Sequence, residues 1–265
     1  MVILMKISIL GSRGSFPTPS HEFLNYGGNT SCVHISFSDI DIVIDAGTGF
    51  ANFNPSKNNE TIIMLSHFHH DHISGLAANQ SMFDPNIKIT ICSALLDKSD
   101  LENTLRTVYG KKYFPLDFLK SSDNILYEDF NKIKEKLKDN IIIDKVKLNH
   151  PGDAYGYSFE YKNKKICYLL DHEENVDSEV GRFSRDSDLV FWDGMFLQDE
   201  KKKFKGWGHS SIEEGIDLVE KFSIKKLLIC HHSPLRKDKE LEKIDKLFSN
   251  KKIIFAYDNK TLDFK

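Results

Sequence analysis

The chain is short of cysteine, of long apolar runs and of positive charge. Its 265 residues include only four cysteines, Cys32, Cys92, Cys167 and Cys230, none in a CxxC spacing. Each sits in an apolar, strand-like context, so the thiols are expected to be reduced and buried, in a cytoplasmic protein. No apolar run reaches the length of a membrane span. The apolar N-terminus is interrupted by Lys6 and leads into Gly11-Ser12-Arg13-Gly14. It lacks a signal-peptide cleavage pattern and reads as a first core strand, so no membrane partner is expected. An excess of positive charge is missing as well: 36 Lys and Arg against 39 Asp and Glu leave a formal charge of -3. A dedicated nucleic-acid binder carries a basic face, which this balance does not supply in bulk. There is no tandem repeat, low-complexity tract or internal linker. A chain of this length can bury one large core or two modest ones.

What is present is a succession of short strands with helices between them. Val2 to Leu10, Ser31 to Phe37 and Ile40 to Ile44 read as strands, the last ending in Asp45-Ala46-Gly47. Thr61 to Leu65 and Ile87 to Cys92 follow, then a helix over Leu95 to Tyr109 by its apolar period. Residues 110 to 140 break regularity at Tyr113-Phe114-Pro115 and end in a charged helix from Asp129 to Lys138. This insertion, spanning about 95–140, is either a solvated lysine-rich face or an overhang that shapes substrate choice. Strands resume at Ile141 to Leu148, Tyr155 to Tyr161, Lys165 to Leu170 and Leu189 to Trp192. A helix capped by Ser210 or Ser211, with Glu213 or Glu214 as the capping-box partner, carries the stripe Ile212, Ile216, Val219 and Phe222. Leu227 to Cys230, a helix from Asp238 to Phe248, and a strand over Lys252 to Tyr257 complete the pattern. It predicts two packed sheets flanked by helices in a single α/β domain, 1–265.

The densest chemistry lies in His67-Phe68-His69-His70-Asp71-His72, between the strand ending at Leu65 and a helix start read at Ile73. Imidazole nitrogens and carboxylate oxygens are ligands that a borderline cation such as zinc prefers. Three further metal-capable side chains stand just past apolar strands: His150, Asp171 and His231. His231 competes with His232 and is preferred because it directly ends its strand. His70 alternates away from its neighbours and is read as supporting rather than ligating.

The run His67 to His72 matches the HxHxDH signature of the metallo-β-lactamase superfamily, and the chain resembles that family over residues 45 to 232. The resemblance implies the αββα sandwich, two mixed sheets flanked by helices. It also implies a two-metal site built from His67, His69, Asp71, His72, His150, Asp171 and His231. Two Zn2+ ions fit this set, and Mn2+, Fe2+ or Ni2+ would also suit the more oxygen-rich second position. True metallo-β-lactamases place a cysteine where this chain has Asp171, so antibiotic hydrolysis is not expected.

Gly208-His209-Ser210-Ser211 resembles the His-x-Ser-Thr element of RNase Z and related phosphodiesterases, in which the histidine donates a proton. Phe191 to Phe196 resembles their His-Glu-Ala-Thr-Phe element, with Asp193 in the place of the glutamate that orients that histidine and the preceding histidine absent. Gly11 to Pro19 and Tyr26 to Cys32 also resemble the RNase Z-like branch, with Arg13 read as an anion contact or a structural anchor. Lys201 to Lys205 either steer phosphates or are solvated. The resemblance implies a phosphodiesterase in which a metal-bridging hydroxide attacks, with Asp71, His209 and Asp193 as the catalytic set. The expected substrate is a cyclic or other small nucleotide. One alternative is an RNase Z-type endonuclease acting on precursor tRNA, although the glycine- and proline-rich arm of that enzyme is not found here. The other is a metal-binding sensor without catalysis. Dimerisation is common among relatives and would suit a site completed by a neighbouring chain.

Overall fold

The computed structural model describes residues 5–56, 58–110, 112–114, 124–173 and 177–264. These fall into two compact units. The first contains residues up to Gly11, Ser31–Glu135 and the C-terminus from Asn259; the second contains Ser12–Thr30 and Lys136–Asp258.

The first unit is built on a mixed seven-stranded sheet. Its strands are β1 (Met5–Gly11), β2 (Cys32–Ser36), β3 (Ile40–Ile44), β4 (Glu60–Leu65), β5 (Ile89–Ser93), β6 (Ile125–Tyr127) and β13 (Lys260–Phe264), in the order β13-β1-β2-β3-β4-β5-β6. The β13, β1, β2 and β3 neighbours pair antiparallel, whereas β3 to β6 run parallel. Strand β4 is buried at every position after Glu60, which is why Thr-Ile-Ile-Met-Leu reads as a continuous apolar run rather than an alternating one. The helix Lys98–Val108 packs beside β5 and β6, with Leu101 and Leu105 inward. Asp97 caps it by accepting from the Ser99 and Asp100 amides.

The second unit carries a mixed six-stranded sheet. Its members are β7 (Ile142–Leu148), β8 (Ala154–Tyr161), β9 (Lys164–Leu169), β10 (Leu189–Asp193), β11 (Leu227–Cys230) and β12 (Ile253–Phe255), in the order β12-β11-β10-β9-β8-β7. β9 to β12 are parallel, and the β7–β8–β9 meander is antiparallel. The helix Ile212–Lys221 covers β10 and β11 with Ile212, Gly215, Leu218 and Val219. Gly215 is required there, because a Cβ would lie 2.6 Å from the Trp192 ring. The expected capping box forms between Ser211 and Glu214. Thus the fold is mixed α/β, with two mixed sheets and helices flanking them.

Several sequence-based boundaries shift. The helical turn in the histidine run opens at His70 and closes at Ile73, instead of starting at Ile73. Just beyond it Gly75 passes close to Gly47, whose carbonyl oxygen would lie 2.0 Å from a Cβ there. Two strands, β6 and β13, and the short helices Glu179–Phe183 and Gln198–Lys201 are additional to those expected. Of the insertion at 95–140, residues 111 and 115–123, including Pro115, lie outside the described residues, as do residues 2–4 of the first expected strand.

Candidate metal centre

In the first unit the candidate ligands leave the carboxyl end of β4, beside the carboxyl end of the parallel strand β3. This is where α/β sheets present their functional loops. His67 and His72 lie with ring centroids 4.2 Å apart, and His69 lies 4.6 Å from His67. His67, Asp71 and His72 are buried, and His69 and His70 are exposed.

The orienting group is Asp45, just past β3. It is completely buried and held at a positive φ of 57°, a region that aspartate tolerates better than most residues. Its Oδ1 accepts from the Ser66 amide at 2.7 Å, and its Oδ2 accepts from the Ser66 hydroxyl at 2.8 Å. The same Oδ2 lies 2.7 Å from His72 Nδ1. An ionised carboxylate can only accept, so His72 carries its proton on Nδ1 and presents a lone pair at Nε2. Because the Ser66 hydroxyl gives its proton to Asp45, its oxygen accepts from His67 Nδ1, 3.0 Å away. His67 therefore also presents Nε2. One carboxylate fixes the tautomer of two imidazoles, the arrangement that supports metal-bound histidines.

In the second unit four side chains occupy the carboxyl ends of strands that run the same way: His150 after β7, Asp171 after β9, Asp193 closing β10 and His231 after β11. Asp171 and His231 are both in the left-handed region, with φ of 58° and 54°. Such backbone is costly for residues with a side chain and concentrates at functional sites. His150 Nδ1 lies 2.8 Å from the Gly208 carbonyl, an acceptor only, so Nε2 carries the lone pair. That Nε2 is 3.8 Å from Asp171 Oδ2, and His231 Nδ1 is 3.2 Å from Asp171 Oδ1. His150, Asp171 and His231 thus converge. These imidazole and carboxylate donors, with the His150 tautomer fixed by the Gly208 carbonyl, are of the kind that divalent cations such as zinc take.

His209 lies beside this cluster, its ring 5.6 Å from His150 and 5.2 Å from His231, stacked on the latter. Its Nδ1 is 2.9 Å from Asp193 Oδ2, while Asp193 Oδ1 accepts from the Met195 amide at 2.9 Å. Burial pushes the Asp193 carboxyl up, but the His209 imidazole and its hydrogen bond hold it below the usual carboxylate value. Asp193 therefore stays ionised and accepts from His209 Nδ1.

His232 turns away from this cluster. Its Nε2 lies 2.9 Å from the Ala256 carbonyl and its ring stacks on Phe255, and burial lowers its pKa to about 3. Arg13 is not an anion contact: its guanidinium is completely buried and donates to the carbonyls of Gly27, Ser233 and Arg236. In the lysine run, Lys201 forms a largely covered ion pair with Glu214, and Lys202 pairs with Asp199 on the solvated face.

Three residues, Asp45, Ser66 and His172, escape the sequence reading. Asp45 was visible only as a carboxylate ending a strand before small residues, and Ser66 had no signal. Ser210 donates to the His172 carbonyl at 2.6 Å. Its oxygen lies 3.2 Å from Nδ1 of the buried His172, whose pKa burial lowers to about 4.

A sequence profile of the beta-lactamase superfamily domain matches residues 41–232. The chain belongs to that superfamily. Its relatives by sequence include proteins named ribonuclease Z, so it resembles the superfamily's RNase Z-like branch. It is 24% identical to ribonuclease Z of Nanoarchaeum equitans (strain Kin4-M), across 98% of this chain and 93% of that one. A diphosphatase of the PhnP family superposes with a TM-score of 0.72 at 20% identity, covering 98% of each chain. The metallo-β-lactamase fold protein YhfI from Bacillus subtilis gives 0.71 at 18% identity, covering 98% of this chain and 99% of its own. These superpositions bear out the superfamily fold expected from the histidine run.

Proposed function

We propose that the chain is a dinuclear-metal phosphodiesterase acting on a small nucleotide, a cyclic nucleotide above all. In this reading, which follows the family resemblance, His67, His69 and His150 would hold one divalent ion, and Asp71, His72, Asp171 and His231 would hold the second. Zinc is favoured by the imidazole-rich set, with manganese, iron or nickel acceptable at the more oxygen-rich position. Bound there, two such ions would lower the pKa of water and offset charge on a phosphoryl oxygen.

The observation that carries the phosphodiester reading is the His209–Asp193 pair. A departing alkoxide has a high pKa and needs a proton, which an imidazole can supply near neutral pH. Asp193 holds His209 Nδ1 and so aims Nε2 outward; it is a positioning residue. The family resemblance implies that Asp171 would share charge between the two ions and that Asp71 would orient the attacking water. A sensor that had lost catalysis would have no use for a proton donor anchored in this way.

A second reading, an endonuclease acting on RNA, is favoured by one observation: the relative from Nanoarchaeum equitans is a ribonuclease Z and aligns over nearly all of this chain. Against it stand the near-neutral charge and the missing glycine- and proline-rich arm. A cytoplasmic setting accompanies either reading, supported by four buried cysteines that carry free thiols. Assembly as a homodimer is part of the proposal, because dimers are common among relatives.

The test is metal analysis with a substrate screen. Purified protein should hold about two divalent ions per chain, and bis(p-nitrophenyl) phosphate hydrolysis should vanish on chelation and in His69→Ala and Asp171→Ala. Full activity in metal-free protein would defeat the mechanism. Cyclic mononucleotides, cyclic dinucleotides and precursor tRNA, compared under identical metal conditions, separate the two readings.

A further inference from the structure

A cavity of about 360 Å³ opens directly against His209 within the second unit. Its walls are aromatic and aliphatic: Phe16, Phe196, Phe204, Trp207 and Leu235. Phe196 and Phe204 stack face to face, with centroids 4.9 Å apart and planes 8° apart, and Trp207 leans on Phe204 at 5.0 Å. The Phe196 ring meets His209 edge-on at 6.0 Å. Phe16, Trp207 and Leu235 leave 51%, 61% and 79% of their surface exposed, which a folded chain rarely grants to three large apolar side chains around one hollow. Apolar walls with a few polar groups at one end are the usual makeup of a small-molecule site.

The charges say what belongs inside. Arg236, almost fully buried at the cavity wall, donates to the Met195 carbonyl at 3.1 Å and is ion-paired with Glu200. Its charge is therefore already matched, and Glu240, 3.9 Å from its Nε, adds a further carboxylate. The hollow has no positive excess to draw in a phosphate. It offers an apolar hollow with His209 among its lining residues.

We propose that this cavity binds the nucleobase of the nucleotide whose sugar oxygen leaves phosphorus, and takes up a proton, when the ester is cleaved. A base stacks on aromatic side chains irrespective of its identity. Seating the base there would bring the leaving sugar oxygen toward His209, which lines the same cavity. The parallel Phe196–Phe204 pair suits a planar ring. A quaternary ammonium group, the other ligand of aromatic sites, needs rings enclosing it from several sides. The inference rests on the phosphodiesterase reading for what the base is attached to, but the seating of the base can be tested without turnover.

Adenosine, which has no phosphate, is titrated against tryptophan fluorescence, with Trp207→Phe identifying the responding residue and choline as the competing probe. Saturable quenching by adenosine at millimolar or lower concentration, weakened at least about tenfold in Phe204→Ala and in Leu235→Asp, is expected. Leu235→Asp lies on the surface and guards against a folding defect in the first variant. The kinetic arm compares adenosine 3′,5′-cyclic phosphate with methyl p-nitrophenyl phosphate: both variants should raise KM for the first about tenfold and leave the second within twofold. Loss of all diester hydrolysis with adenosine binding intact would overturn the phosphodiesterase reading and leave the base site standing. Absence of saturable adenosine binding, or tighter binding of choline than of adenosine, would overturn the base site whatever the activity.

Discussion

His72 Nδ1 lies 2.7 Å from Asp45 Oδ2, and neither side chain reaches solvent. The same carboxylate takes both hydrogen-bond donors of Ser66, whose hydroxyl oxygen in turn serves His67. Removing Asp45 therefore disturbs two candidate ligands from different metal positions at once. Asp45→Asn should keep the fold, because asparagine also tolerates the left-handed backbone, but it replaces an obligate acceptor by an amide. Metal affinity is expected to fall about 10- to 100-fold, the usual cost of losing such a supporting group. Competition with a chelating dye, read separately for the two equivalents, checks this. Unchanged affinity at both positions would refute the orienting role.

The His209–Asp193 pair predicts a dependence on the leaving group. With an alkyl leaving group, His209→Ala should lower kcat about 10²- to 10⁴-fold, the span attributed to general acid–base catalysis. With p-nitrophenolate, which departs without a proton, the loss should be small and the metal content unchanged. Asp193→Asn should show the same leaving-group pattern less severely, since the amide oxygen can still meet His209 Nδ1. Equal losses with both kinds of leaving group would mean that His209 is not the acid.

The unequal legibility of these residues has a physical cause. His67 to His72 can be read because four metal-capable side chains crowd six positions, a density that packing does not require. Asp171, Asp193 and His231 can be read because each ends a buried, nearly uninterrupted apolar strand. Asp45 cannot be assigned from sequence because its partners, Ser66 and His72, are 21 and 27 residues away and meet it only through the parallel pairing of β3 and β4. Strand β6 is three residues long, too short to show a period, and β13 is a half-exposed edge whose apolar content is low. The cavity at His209 draws on Phe16, Trp207 and Leu235, which lie in three separate loops, and no local pattern announces such a meeting.

Gly208 has two reasons to be glycine. Its φ is +80°, and a Cβ would lie 2.3 Å from His150 Nδ1 and 2.4 Å from Pro151 Cδ. Its carbonyl is also the acceptor that sets the His150 tautomer. Gly208→Ala is expected to cost at least about 1–2 kcal/mol from the backbone alone. It should also displace His150, so that metal affinity falls as well as the urea midpoint. Gly206 provides the control: its φ is +86°, but no atom lies within 4 Å of the added Cβ. Gly206→Ala should lose comparable stability while retaining its metal. If the two variants bind metal alike, the contact with His150 is not what Gly208 is for.

Asp188 gives a test of pH dependence well away from the metal ligands. It accepts from the Lys165 amide at 3.1 Å and from Lys225 Nζ at 2.9 Å, with Lys164 Nζ at 3.5 Å. Burial raises its pKa, but the Lys225 hydrogen bond, the Lys165 amide and the two lysine charges outweigh it and hold the carboxyl below its ordinary value. A carboxyl depressed in the folded state adds stability that is fully present above its unfolded pKa of about 3.9 and is lost as pH falls through the folded value. Asp188→Asn should therefore be less stable than the parent at pH 7, by about 1 kcal/mol given the partly solvated lysines. The deficit should shrink as pH drops below about 4 and be nearly gone once the parent's Asp188 is protonated. Urea midpoints of both proteins at matched ionic strength between neutral and acid pH measure this. A deficit that stays constant across the range would show that Asp188 stabilises by shape rather than by charge.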